Sequence, residues 1–215
     1  MSVFDEELQR LKDKILKMGS MVEDAIKNSV LSLVERDNTL AINVIDNDRL
    51  VNTLDVEIDE ESIRLIALRQ PKASDLRFIT MAMKITTDLE RMGDLAVNIA
   101  ERALELNDEP ILKPYIDIPK MRSIAQRMTQ DALDAFVRKD KRLARDVIIS
   151  DDEVDDLKHM VLQELAFFMI QDPTTVTRAM KVSFVAQYLE RIGDHATNIA
   201  EMVIYLVDGK IIRHT

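Results

Sequence analysis

The residues most suited to chemistry in this sequence are acids and amides spaced four residues apart. Glu90, Asp94 and Asn98 form one such row. Residues four apart lie on the same face of an α-helix, so the row predicts a stripe of side-chain oxygens. Carboxylate and amide oxygens are the ligands that hard cations prefer in proteins. Metal binding is therefore the first chemistry that the row indicates.

The row is present twice. The segment 89–101 returns as 189–201 with ten of thirteen positions identical, and the second row consists of Glu190, Asp194 and Asn198. A core requires only apolar residues of suitable size, so two copies that shared nothing but a fold could differ at their acidic positions. The retained acids predict a duplicated site within a duplicated structural unit.

A partner row precedes each copy at an offset of 103 residues. We expect the two rows of each half to lie on neighbouring helices and to supply the ligands together. The predicted metal ligands are Asp48, Asn52, Glu90, Asp94 and Asn98 in the first half, and Asp151, Asp155, Glu190, Asp194 and Asn198 in the second.

The two partner rows differ in charge. Asp55 and Asp59 extend the first row, whereas Lys158 occupies the position that matches Asp55. The sequence therefore leaves open which residues complete a second metal cluster.

Charged rows are usually the solvated faces of amphipathic helices, but two observations favour metal binding here. Acids four apart with no basic residue on their arc repel each other, which costs stability unless a cation offsets the repulsion. Gly93, Ala96 and Ala100, which recur in the second copy, allow another chain or a ligand to approach closely.

Oxygen-only ligands select hard or borderline cations, so we expect divalent or trivalent ions: Fe, Mn, Mg, Ca or Zn. Redox di-metal bundles combine Glu with Glu-x-x-His, and neither half contains that motif. On the helix, His195 lies away from the oxygen row. We therefore expect it to pack against other side chains or to contact a metal ligand without binding the metal itself. His159 is matched by Val56 in the first half and is not assigned as a ligand.

Apolar residues recur every three to four positions along most of the chain, which predicts an all-α protein. Asp37-Asn38, Pro71 and the turn at 139–141 divide the pattern, and Gly209 is a good helix stop. The predicted helices span residues 5–36, 39–69, 74–107, 119–139, 142–170 and 173–208.

The prolines at 110, 114 and 119 mark a linker between two matched halves. We expect a first three-helix repeat at 1–109, a proline-rich linker at 110–118 and a second three-helix repeat at 119–215. The halves align throughout, so the architecture should be two tandem, pseudo-symmetric, antiparallel three-helix bundles lying side by side.

Composition narrows the class of partner. The net charge of −10 argues against nucleic acid, whose phosphates require clustered Lys and Arg. The chain has no Cys, no signal-like apolar N-terminus and no apolar run long enough to span a membrane, so we expect a cytoplasmic protein. It contains neither a Gly-rich phosphate loop nor a nucleophile paired with a base, which predicts a protein that is not an enzyme.

Three segments of the sequence resemble the PhoU family, the accessory proteins of phosphate-specific transport. They are Leu-Glu-Arg-Met-Gly-Asp at 89–94, Leu-Glu-Arg-Ile-Gly-Asp-His-Ala-Thr-Asn-Ile-Ala-Glu at 189–201, and Arg-Gln-Pro-Lys-Ala-Ser-Asp-Leu-Arg at 69–77. The resemblance covers essentially the whole chain, including its length and its duplication.

The resemblance implies a negative regulator of high-affinity phosphate uptake and phosphate-starvation signalling. Such a regulator is a cytoplasmic adaptor, often a homodimer, between the ATPase subunit of a phosphate ABC transporter and a sensor histidine kinase. It meets the membrane only through these partners. Some family members are similar in holding multinuclear metal clusters on Glu/Asp-x-x-x-Asp rows, a motif that Glu90 with Asp94 and Glu190 with Asp194 match. The competing interpretation is a carboxylate-bridged metalloenzyme of helical-bundle type.

Overall fold

A computed structural model describes residues 3–209 as six long α-helices and one short 3-10 helix, which confirms the all-α prediction. The helices are α1 Val3–Val34, α2 Asn38–Arg69, α3 Ala73–Asn107, α4 Asp117–Arg138, α5 Lys141–Gln171 and α6 Val176–Asp208, with the 3-10 helix at Pro173–Thr175.

Local hydrogen bonds explain where several helices begin and end. The Asp37 carboxylate accepts from the Leu40 backbone N–H, and the matching Asp140 accepts from two backbone N–H groups at the start of α5. Gly209 ends α6 with a left-handed φ of 65°.

The prediction that the last helix begins at residue 173 is wrong, because a separate 3-10 turn comes first. The Asp172 side chain accepts hydrogen bonds from both the backbone N–H and the hydroxyl of Thr174. These bonds hold Pro173–Thr175 in a tighter turn, and the regular α-helix starts at Val176.

The helices form two three-helix bundles that share one core. Within each half all three helices contact one another. Between the halves, α1 packs on α4 and α3 packs on α6, whereas the outer helices α2 and α5 contact only helices of their own half. A single hydrophobic cluster continues through both halves. Its largest fully buried side chains include Phe136, Leu11, Ile15, Met18, Ile26, Leu33, Ile58, Leu65, Ile79, Ile85, Leu89 and Met92.

The start of the connection between the halves is tied to a residue of each half. The Arg36 guanidinium donates to the backbone carbonyls of Asn107 and Glu109, and Lys181 of α6 pairs with Glu109 at 2.9 Å. The helix α4 begins at Asp117, inside the segment that the sequence assigns to the linker.

A bidentate ion pair between a buried carboxylate and an exposed arginine fixes the corner that joins α2 to α3. Glu7 of α1 is 4% exposed, and its carboxylate accepts two bonds from Arg69, at 2.8 Å from Nε and 3.0 Å from Nη2. Bidentate pairs of this kind impose a defined geometry. Arg69, the first residue of the motif at 69–77, therefore has a structural role. Among the described residues, no helix is both long enough and apolar enough to cross a membrane.

Candidate metal-binding faces

The first acidic face lies between α2 and α3 and comprises Asp48, Asn52, Asp55, Glu90 and Asp94. Gly93 of α3 packs against α2 here, and a Cβ at that position would make an ordinary contact with Asp48 Oδ1, at 3.4 Å. Asn52 donates to Asp48 Oδ2 at 2.8 Å. The acidic row of α3 and its partner row on α2, both predicted from the sequence, therefore meet across the α2–α3 groove.

Burial and neighbouring negative charges raise the pKa values of two carboxylates on this face. Burial, and then the charge of Asp94, raises the pKa of Asp48 against the opposing hydrogen bond from Asn52. Burial and the neighbouring charges of Asp94, Asp55 and Asp48 raise the pKa of Glu90. Carboxylates that resist ionisation for these reasons are stabilised in their charged form by a nearby cation.

One basic side chain reaches the first acidic face, which the sequence pattern did not predict. Arg91 lies 3.3 Å from Asp94 and 3.5 Å from Glu90, but its side chain is 59% exposed. Exposed pairs of this kind contribute little because solvent screens them. Arg91 therefore lowers the negative potential of the face only at its rim.

The second acidic face lies between α5 and α6 and comprises Asp151, Asp155, Lys158, Glu190 and Asp194. Burial, followed by the charges of Asp194, Asp155 and Glu190, raises the pKa of Asp151 to about 6. Burial and the charges of Glu190 and Asp155 also raise the pKa of Asp194. A groove of about 630 Å³ borders this face, and Asp151 and Asp194 line it.

Lys158 places a positive charge inside the second acidic face. Its Nζ lies 2.8 Å from Asp155 Oδ1 and 2.6 Å from Glu190 Oε1, and the side chain is 21% exposed. Burial lowers the pKa of this ammonium, but its hydrogen bonds to the two carboxylates outweigh burial and raise it. The ammonium is therefore a firmly charged member of the face.

The donor set of both faces suits hard cations, although the ligands are not gathered around one point. Within residues 3–209, no three His, Asp or Glu side chains converge as they do around a bound ion. Burial and neighbouring negative charges raise the pKa values of four candidate donors, Asp48, Glu90, Asp151 and Asp194. Cations such as Mg²⁺, Ca²⁺ or Mn²⁺ neutralise carboxylates of this kind. Small rotations of these side chains would be needed to bind an ion.

The two predicted asparagine ligands on the inner helices are placed differently. Asn198 lines the groove of the second face, but its amide donates to Asp88 Oδ1 of α3 at 3.3 Å. Its side-chain oxygen is the atom that could serve a cation. Asn98 stays one turn beyond Asp94 on α3, as predicted. Ligand roles for both residues remain predictions.

The histidines agree with the sequence interpretation. His195 packs between the halves, where its Nδ1 lies 2.7 Å from Asp88 Oδ1. His159 is exposed on α5 and lies 2.8 Å from the Gln163 amide. His195 therefore joins the two bundles and does not project into the acidic groove.

Sequence reasoning missed Asp88. It lies on the side of α3 opposite Glu90 and is matched by Tyr188 in the second half. His195 likewise replaces Leu95, so two polar residues appear where the other half is less polar. The pair could have been found by searching the face opposite the oxygen row for polar residues that differ between the two halves.

Comparison with known proteins identifies relatives across the full chain. The PhoU domain matches residues 15–103 and 118–203. The chain is 46% identical over 209 residues to the phosphate-specific transport system accessory protein PhoU homolog of Aquifex aeolicus, covering 97% of this chain and 95% of that protein. It is 42% identical over 212 residues to the homolog of Pseudomonas aeruginosa, covering 98% and 88%.

Two solved structures share the fold. The crystal structure of PhoU from Pseudomonas aeruginosa matches with a TM-score of 0.93 at 42% identity, covering 96% of this chain and 100% of that one. The phosphate transport system regulatory protein PhoU from Streptococcus pneumoniae matches with a TM-score of 0.91 at 28% identity, covering 98% and 100%.

Proposed function

Because this chain belongs to the PhoU family, we propose that it is an accessory protein of phosphate-specific transport. The observation that carries this proposal is the 46% identity over nearly the full length of a relative with that description. The matched region covers 97% of this chain, so it includes both halves.

The finer proposal is a non-enzymatic adaptor. It restrains high-affinity phosphate uptake by contacting the ATPase subunit of the phosphate ABC transporter. It reports phosphate sufficiency to a sensor histidine kinase, and it acts in the cytoplasm as a homodimer. The membrane is reached only through these partners.

The outer helices support a role in protein contacts. Met160 and Phe167 of α5 lie seven residues apart on one face and are 56% and 57% exposed; Val56 and Ile63 of α2 have the same spacing and exposures of 56% and 58%. Large apolar side chains in contact with solvent often mark sites where proteins meet.

Metal binding belongs to the proposal as a property of the acidic faces. A bound divalent or trivalent cation would supply positive charge to carboxylates that now repel one another. Asp48, Glu90 and Asp94 would hold it on the first face, and Asp151, Glu190 and Asp194 on the second. The inner helices α3 and α6 would supply two of the three ligands of each face.

The experiment is deletion of the gene followed by complementation. Deletion should leave phosphate-starvation genes expressed in phosphate-rich medium, and the native chain should restore repression. The tagged protein should co-purify with the transporter's ATPase subunit. A matched pair of variants adds the metal: Asp94→Ala with Asp194→Ala removes a ligand from each face, and Asp46→Ala with Asp156→Ala removes two exposed acids elsewhere on the outer helices.

Normal phosphate uptake and normal starvation-gene expression in the deletion strain would overturn the regulatory proposal. Metal-dependent turnover by the purified chain would then favour the carboxylate-bridged metalloenzyme.

A further inference from the structure

The two acidic faces place charges of opposite sign at one equivalent position. Asp55 of α2 lies near enough to Glu90 of α3 for their charges to repel. At the matching position of α5, the Lys158 ammonium lies 2.6 Å from Glu190 of α6. The pairing of helices is therefore the same in both halves. Two positions differ in charge: Lys158 stands in place of Asp55, and Asp155 stands in place of the neutral Asn52.

The Lys158 ammonium lies where a cation would neutralise the second face. It bridges Asp155 on its own helix and Glu190 on the facing helix, as an ion shared between two helices would. Asp151 and Asp194 complete the surrounding negative charge. A metal ion approaches carboxylate oxygens to about 2.0–2.6 Å. It could reach Glu190 Oε1 and Asp155 Oδ1 together only after the ammonium moved away.

We propose that Lys158 is the built-in counter-cation of the second acidic face, so that the two faces of this chain differ in metal affinity and the first is the stronger. This inference rests on the proposed metal binding. Lys158 competes with a metal ion for the same carboxylates and repels it. The first face has no lysine at this position and depends on an external cation. Lys158 therefore determines how many metal ions the chain holds.

The test is a titration of metal-free protein with Mn²⁺, followed by calorimetry and by elemental analysis after gel filtration. The native chain should show one class of tight sites. Lys158→Met keeps the apolar stem and removes the charge, and it should add a second class, with affinity at the second face rising about tenfold or more.

Lys181→Met is the matched control. Lys181 also bridges two carboxylates, Glu105 and Glu109, and its side chain is 20% exposed, close to the 21% of Lys158. Removing Lys181 also frees two acids, but these acids do not belong to the α5–α6 groove that contains Asp151 and Asp194. Lys181→Met should therefore leave the number of tight Mn²⁺ sites unchanged. An equal gain in both lysine variants would overturn the inference, because it would reflect net charge alone.

A reciprocal variant and a metal-free readout complete the test. Asp55→Lys should abolish the tight sites of the native chain by giving the first face its own ammonium. In metal-free buffer, Lys158→Met should melt at a lower temperature than native protein, and Mn²⁺ should reverse the loss. If both faces of native protein bind Mn²⁺ equally and Lys158→Met changes neither, the inference falls while metal binding stands. If neither native protein nor Lys158→Met binds Mn²⁺, metal binding itself is refuted.

Discussion

The first and second acidic faces use one geometry and balance charge differently. In both, a glycine of the inner helix packs against an aspartate of the outer helix, and that aspartate faces the inner Glu-x-x-x-Asp row. The first face presents Asp55 to Glu90, whereas the second presents Lys158 to Glu190. A repeat can therefore keep the positions of its oxygen donors while changing how much external cation each copy requires.

The largest expected difference between the faces is in metal-dependent stability. At a free Mn²⁺ concentration of about 100 times Kd, binding to the folded state alone adds about 2.7 kcal/mol. For a chain of this length, that corresponds to a rise in Tm of about 5–10 °C. Asp94→Ala on the first face should remove this rise, and Asp194→Ala on the second should leave most of it. Equal losses in thermal melts would erase the difference between the faces.

The polar pair between the halves provides the next test. His195→Leu installs the residue that stands at position 95 and leaves the buried Asp88 carboxylate without its closest contact, keeping only the longer bond from Asn198. Losing the closer of two hydrogen bonds to a buried carboxylate costs about 1–3 kcal/mol, so the free energy of unfolding should fall by that amount. Urea denaturation in metal-free buffer measures it. His159→Leu, an exposed histidine on α5, is the control and should change stability by less than about 0.5 kcal/mol.

A smaller effect concerns pH. Asp151 has a folded pKa of about 6, above its unfolded value of about 3.9. The folded state therefore binds more protons between these values, and the free energy of unfolding of metal-free protein should fall as pH rises from about 4 to about 6. Asp151→Asn should remove part of this fall. Asp48→Asn should remove less, because the pKa of Asp48 is raised to a lesser extent.

The measurement is the difference in unfolding free energy between each variant and native protein across pH 4–7. Mn²⁺ should oppose the trend, because metal and protons compete for the same carboxylates. A difference that stays flat with pH for Asp151→Asn would contradict the raised pKa.

The smallest expected effect distinguishes the two glycines. Replacing a helical Gly by Ala gains up to about 1 kcal/mol where space allows. A Cβ at Gly93 would meet Asp48 Oδ1 at 3.4 Å, an ordinary contact, whereas a Cβ at Gly193 would meet Asp151 Oδ1 at 3.1 Å. In metal-free protein, Gly93→Ala should therefore stabilise more than Gly193→Ala. Chemical denaturation of both variants checks the order, and the reverse order would show that the second groove is the wider.

Local sequence patterns predict the helices well because the signals that define them are local. The apolar period and the turn at 139–141 predict a fifth helix at 142–170, and the structure has it at Lys141–Gln171. The acidic rows could also be predicted, since residues four apart on one helix share a face whatever surrounds them.

Contacts between distant helices could not be predicted in this way. The Asp88–His195 pair depends on how α3 and α6 are aligned across the shared core, and no single segment encodes that alignment. The same applies to Lys158: its match with Asp55 was visible in the sequence, but its reach to Glu190 depends on the spacing of α5 and α6.

The shared core has a consequence for how the two halves can vary. In a dimer of identical three-helix subunits, symmetry would make every substitution appear on both sides of the interface. Covalent continuity removes that constraint, because each half is encoded separately even though one core runs through both. A lysine can therefore occupy one groove and an aspartate the other, and a histidine can face an aspartate that has no mirror image. Fusion of the halves thus allows two equivalent grooves to acquire different properties while each continues to stabilise the other.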